Sequence, residues 1–149
     1  MSDNRKKLEF LKEKIEKASY AKKQEDYEEA YHAVFRTLDD FESVLENSRY
    51  LEGDLISDTD RDFYEILIRF DTVYYFRSGL NKKRISEYEN LWDYARALYS
   101  VPEFRSKTDF ETIKKEEYLK DPEYDPLEIL PLGPDVSEWE KALSSLRSR

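Results

Sequence analysis

No cysteine occurs in the 149 residues. Within them there can be no disulfide, no thiolate metal site and no cysteine nucleophile. A thiol-free chain suits the cytoplasm, which is the expected location. Histidine is almost as scarce. A lone His32 argues against a histidine zinc cluster and leaves a Ser/His/Asp triad without its base elsewhere. Three glycines, widely scattered, form no phosphate-cradling loop. No run approaches the roughly 20 apolar residues of a membrane span, and the N-terminal MSDNRKK lacks the apolar core of a signal peptide. Basic residues are outnumbered, 25 against 34 acidic ones, for a formal charge of −9. Phosphate binding needs basic surface, so neither nucleic acid nor membrane is an expected partner. The one basic run, Lys82-Lys83-Arg84, reads as a solvated loop.

Helical periodicity is abundant. Leu8, Leu11, Ile15 and Ala18 recur three and four apart, with Asp3 or Asn4 placed to cap. Tyr27, Tyr31, Val34, Phe35, Leu38, Phe41 and Leu45 trace a longer stripe that ends at Asn47-Ser48, before a turn at Leu51–Asp54. Ser57 and Asp60 have the spacing of a capping box, with Ile56 as a hydrophobic staple. Behind this box run Phe63, Ile66, Leu67, Phe70, Val73 and Tyr74. A further helix spans about Glu87–Ser100, Pro102 starts a new turn, and Thr108-Asp109-Phe110-Glu111 reads as a second capping box opening a helix to about Leu119. Four of the five prolines (Pro122, Pro126, Pro131, Pro134) then fall close together. Residues 121–136 are therefore expected as an extended tail packing on the bundle through Leu127, Ile129, Leu130 and Leu132. A last amphipathic piece, Ser137 to Leu146, closes the chain. No period-two run argues for strands. The fold class is all-α, in a single domain of residues 1–149.

The acids form no metal constellation. Glu29 stands three residues before His32, but a di-iron bundle needs a second such pair, so no metal is expected. Asp71, inside IRFDTVYYF, flanks the apolar face of its helix. It reads as a structural carboxylate that accepts hydrogen bonds from neighbouring donors, since a buried charge needs partners. Trp92 and Trp139 are core or interface anchors. Tyr20, in the break between the first two helices, and Tyr118, just before the prolines, are better placed to line a cleft.

The order of segments resembles the C-terminal, all-helical domain of the omega-like glutathione transferases, nearest the xi class, the glutathionyl-hydroquinone reductases. The resemblance is carried by KASYAKKQEDYEEA, RYLEGDLISDTDRDFYEILIRFDTVY, KKRISEYENLWDYARALYSVPEF, DFETIKKEEY and DPLEILPLGP, and covers about Ile15 to Pro134. It implies a glutathione-transferase C-terminal-like bundle whose parent also has a thioredoxin-like domain, in cis or in trans, holding glutathione and a catalytic cysteine. This domain would line the pocket for a small aromatic, quinone-like substrate and carry a homodimer contact. The implied reaction is reductive deglutathionylation, which needs a thiolate. Without one the chain is not catalytic alone, and no cofactor is expected within it. Tyr20 falls at a family pocket tyrosine. The family's second tyrosine lies in a His-Tyr-aromatic run that here reads Glu116-Glu117-Tyr118, so that either Tyr118 stands in by a shift of one or the role is lost. Pro126-Leu127-Glu128 also departs from the family's Pro-Thr-Gly run. The rival reading is a stand-alone, non-catalytic helical module that binds a protein or a small aromatic ligand.

Overall fold

A computed structural model describes residues 1–120 and 129–148; those expected at 121–128, including Pro122, Pro126 and Leu127, lie outside the described residues. The described part is helical, without strands. Helix α1 (Asp3–Tyr20) and helix α2 (Gln24–Asn47) form an antiparallel hairpin across a three-residue link. The apolar stripes read from the sequence face each other: Leu8, Leu11 and Ile15 of α1 and Val34, Leu38, Phe41 and Leu45 of α2 are all buried. The cap of α1 is Ser2, which accepts from the Arg5 N–H at 3.0 Å. Asn4, expected to cap, instead donates its amide to the Leu51 carbonyl at 2.9 Å and ties α1 to the turn after α2. That turn is closed by Gly53 at φ 124°, a conformation glycine adopts without a Cβ penalty.

Helix α3 (Asp58–Arg69) packs on α1 and opens with the full capping box: Ser57 Oγ accepts from the Asp60 N–H, and Asp60 accepts from the Ser57 N–H at 2.8 Å. The periodicity predicts one uninterrupted helix through Tyr74. The structure departs from it with a π turn over Phe70–Tyr74, in which the Tyr75 N–H reaches the Phe70 carbonyl five residues back. Thr72 Oγ1 donates to the Ile68 carbonyl at 3.0 Å, a side-chain bond of the kind that bends helices. The extra residue turns the following side chains around the axis before a last short turn, α4 (Tyr75–Arg77). Gly79, at φ 66°, ends it under Tyr27, whose hydroxyl donates to the Gly79 carbonyl.

Asp71 sits in the π turn, buried. It accepts from the backbone N–H groups of Ile85 (2.7 Å) and Ser86 (3.2 Å), capping a 3₁₀ turn at Ile85–Glu87. Burial pushes its carboxyl up to about 6, against the pull of those two N–H groups and of Arg84. The unfolded value is about 3.9. Between these values the folded chain holds a proton that the unfolded chain does not, so this group's contribution to stability falls as pH rises from 4 to 6 and is level above. Two pH units correspond to about 3 kcal/mol. We expect Asp71→Asn to gain about 2 kcal/mol relative to wild type between pH 4 and pH 7 in urea titrations. A gap that does not move with pH would refute this.

Helix α5 (Glu89–Tyr99) packs against both α2 and α3. Glu42 of α2 caps it, accepting from the N–H groups of Asn90 (2.9 Å) and Leu91 (2.7 Å). Pro102 opens a single turn, α6 (Pro102–Arg105). Helix α7 (Phe110–Leu119) is capped by Asp109, accepting from Thr112 at 3.2 Å, rather than by Thr108. Thr108 is occupied elsewhere, with the Phe104 carbonyl and the Tyr64 hydroxyl. Of the tail's apolar residues, Leu130 packs against the core whereas Ile129 and Leu132 point outward, Leu132 at 98% exposure.

The amphipathic piece expected over Ser137–Leu146 forms a 3₁₀ turn at Val136–Glu140 and then a strap across α5. The carbonyls of Lys141 and Ala142, which a helix would consume, are taken by Arg96 at 2.9 and 2.6 Å. Trp139 is buried edge-on to Trp92, with ring centroids 4.9 Å apart, and beside Phe110.

Candidate functional site

The end of the bundle where α1 finishes is open. A cavity of about 350 Å³ lies there between the last turns of α1, the π turn with α4, and the end of α7. Ile15, Ile66 and Val73 give it an apolar wall; Tyr20 and Tyr74 bring phenols; Lys12, Arg77 and Lys120 bring cations, and Glu16 and Glu117 carboxylates. Tyr20 is the last residue of α1, not a loop residue, and is 45% exposed. It also borders a shallower groove, of about 660 Å³, between the end of α1 and the start of α2.

Each wall is fixed by the local structure. Ser19 donates to the Ile15 carbonyl at 2.8 Å and meets the Ser78 hydroxyl at 2.7 Å, joining the end of α1 to the end of α4. Arg77 donates to the Glu117 carbonyl, one of the orphan acceptors in the last turn of α7. Arg69 grips Glu65 on its own helix at 2.7 Å and Glu117 across the gap at 3.3 Å. Tyr74 packs on Phe70 behind the cavity. Burial pushes its phenol up to about 12, and Glu117 adds to the effect while Arg69 and Arg77 oppose it. Tyr74 is therefore a protonated hydrogen-bond donor at neutral pH.

Of the two tyrosines singled out in the sequence, the structure places Tyr20 at this cavity. Tyr118 is 4% exposed, on the same α7 face as Phe110, Ile113 and Lys114, with the Arg77 guanidinium 5.8 Å from its ring centroid. Its neighbour Glu117 is the residue that α7 turns toward the cavity, with Lys120 one turn on. Helical spacing puts Phe110, Ile113, Lys114 and Glu117 on one stripe, with Tyr118 at its edge. The apolar pattern places Tyr74 on the core stripe; the π turn that brings it to the cavity leaves no mark in that pattern. Ser57, Asp60 and Asp71 lie in the bundle's scaffold. His32 is exposed on α2, its ring edge-on to Tyr31.

No protein-family model matches the chain. It is 33% identical over 120 residues to the glutathionyl-hydroquinone reductase YqjG of Escherichia coli, a match spanning 80% of this chain and 37% of that protein. The glutathione-bound structure of YqjG superposes with a TM-score of 0.79 at 31% identity, over 87% of this chain and 44% of that one. A glutathione transferase from Gordonia bronchialis gives a TM-score of 0.89 at 34% identity, covering 93% of this chain and 44% of that one. The xi-class enzyme of Natrialba magadii gives 0.84 at 29% identity, covering 97% and 46%. The chain thus spans less than half the length of the relatives it matches.

Proposed function

The chain is a homologue of the C-terminal helical domain of the xi-class glutathione transferases and glutathionyl-hydroquinone reductases, and from that we propose that it forms the substrate pocket and dimer contact of a glutathionyl-hydroquinone reductase-like protein. The observation that carries this is the cavity itself: a 350 Å³ space with an apolar wall, two phenols and flanking cations, large enough for one aromatic ring and its substituents. In this reading the thiolate and the glutathione site come from a thioredoxin-like domain, in cis or in trans. The thiolate attacks the glutathione sulfur of a glutathionyl-hydroquinone. The carbon–sulfur bond breaks, its electron pair passes to the ring carbon, and a proton completes the hydroquinone. A second glutathione reduces the mixed disulfide, yielding glutathione disulfide and the thiolate. The residues of this chain bind and orient the ring. Tyr20 and Tyr74 donate to its oxygens, and Ile66 and Val73 contact its face.

The test is direct. The purified chain, given glutathione and a glutathionyl-hydroquinone, should release no hydroquinone above the uncatalysed rate by chromatography, because its 149 residues contain no cysteine. Turnover by this chain alone would overturn the proposal. Sedimentation should show a dimer; a monomer at all concentrations would remove the dimer contact from it.

A further inference from the structure

We propose that Glu117 makes the cavity selective for neutral aromatic rings that carry a hydrogen-bond donor, a phenolic hydroxyl above all, over rings of the same shape that can only accept. This rests on reading the cavity as an aromatic pocket. The lining is rich in donors: the Tyr20 and Tyr74 hydroxyls, Lys12, Lys120 and Arg77. Any ring oxygen finds a donor there; the cations cannot distinguish a phenol from its ether, and the two tyrosine hydroxyls, which can also accept, do so more weakly than a carboxylate. Acceptors are what discriminate, because an aromatic O–H brought out of water without one forfeits its bond to solvent.

Two carboxylates face the space. Glu16 lies on the exposed side of α1, where water competes for it. Glu117 is different. Its side chain is only 18% exposed and is held from both sides, by Arg69 Nε at 3.3 Å on one oxygen and Lys120 Nζ at 3.0 Å on the other. A carboxylate offers about four acceptor positions, so two protein donors leave room for a ligand hydroxyl. The same two cations match its charge, so no cationic ligand is needed to complete the site. Lys12, Arg77 and Lys120 around the rim oppose a positively charged ring. A neutral donor is the chemistry that remains.

The experiment is an anaerobic titration of the ¹⁵N-labelled chain with hydroquinone, which has two donors, and with 1,4-dimethoxybenzene, which has none, followed by amide chemical shifts. Hydroquinone should move the amides of the cavity walls and bind about tenfold tighter than the ether, the scale of one hydrogen bond to a charged acceptor in a half-open site. E117Q, which keeps the length and a bond to Arg69, should reduce the preference to about two- or threefold, and E117L should erase it. The dispersion of the spectra reports that each variant is folded. Equal binding of the two probes to the wild type, or a preference that survives in both variants, overturns the role of Glu117 and leaves the pocket reading standing. If neither probe shifts the cavity amides, the pocket reading fails and this inference falls with it.

Discussion

Asp60→Ala is expected to destabilise the chain by about 4 kcal/mol, lowering the thermal midpoint by roughly 10 °C for a domain of this size. The side chain is wholly buried and accepts four hydrogen bonds. One oxygen takes the Ser57 N–H and the Ser57 hydroxyl, both at 2.8 Å; the other takes the Leu51 N–H at 3.0 Å and the Tyr94 hydroxyl at 2.6 Å. The Ser57 N–H bond is one half of the capping box, whose other half runs from the Asp60 N–H to Ser57 Oγ. The second pair binds the start of α3 to the turn after α2 and to the middle of α5. Truncation leaves the Leu51 N–H and the Tyr94 hydroxyl buried without an acceptor, at about 1–3 kcal/mol each, on top of about 1 kcal/mol for the cap. Ser57→Ala removes only the capping side chain and should cost about 1 kcal/mol. Urea and thermal unfolding of the two variants separates the cases. If Asp60→Ala costs no more than Ser57→Ala, the long-range bonds contribute nothing.

The same residue marks what sequence carries and what it does not. The Ser57/Asp60 spacing is local, three residues apart on one turn, and was legible. The Leu51 and Tyr94 partners are 9 and 34 residues away and exist only once α2, α3 and α5 have packed. The helix stripes were legible for the same local reason, from Leu8 in α1 to Leu98 in α5. So was the structural character of Asp71, because a carboxylate beside an apolar face must find donors; that its donors would be Ile85 and Ser86 was not. The candidate site was read less well. Tyr20 lines the cavity. Tyr74 reaches it through a π turn whose only local trace is the Thr72 hydroxyl on the Ile68 carbonyl. Tyr118, singled out for its place just before the prolines, is buried on α7, and Glu117, on the same stripe, is the residue of that turn that borders the cavity.

The largest feature absent from the sequence reading is Arg147, and its removal should be as costly as that of Asp60. It follows the last amphipathic segment, where no apolar pattern marks it. In the structure its guanidinium is buried. It donates to the carbonyls of Leu45 (2.7 Å), Ser48 (2.9 Å) and Arg49 (3.2 Å) at the end of α2, and to Asp93 of α5 at 2.8 Å. The end of a helix is where unpaired carbonyls and negative dipole collect, so the cation is stabilised by both. Asp93 in turn accepts the Ser144 N–H at 2.7 Å and the Ser144 hydroxyl, which pins the strap. Breaking a buried pair from one side strands a charge, at about 3–5 kcal/mol, and because Asp93 keeps the Arg96 guanidinium at 3.8 Å the Arg147 truncation falls at the lower end. We therefore expect Asp93→Ala and Arg147→Ala each to destabilise in that range. The double variant should cost about 2 kcal/mol less than their sum, because the second removal relieves the charge stranded by the first. Burial acts to raise the Asp93 carboxyl, but Ser144 and Arg147 outweigh it and hold it below the usual carboxylate range. Its contribution is then complete above about pH 4 and is lost as pH falls through the folded value, so acid unfolding should be less steep in Asp93→Asn than in wild type. Strict additivity in the cycle would mean that the strap is held by its aromatic packing at Trp139 and not by this ion pair.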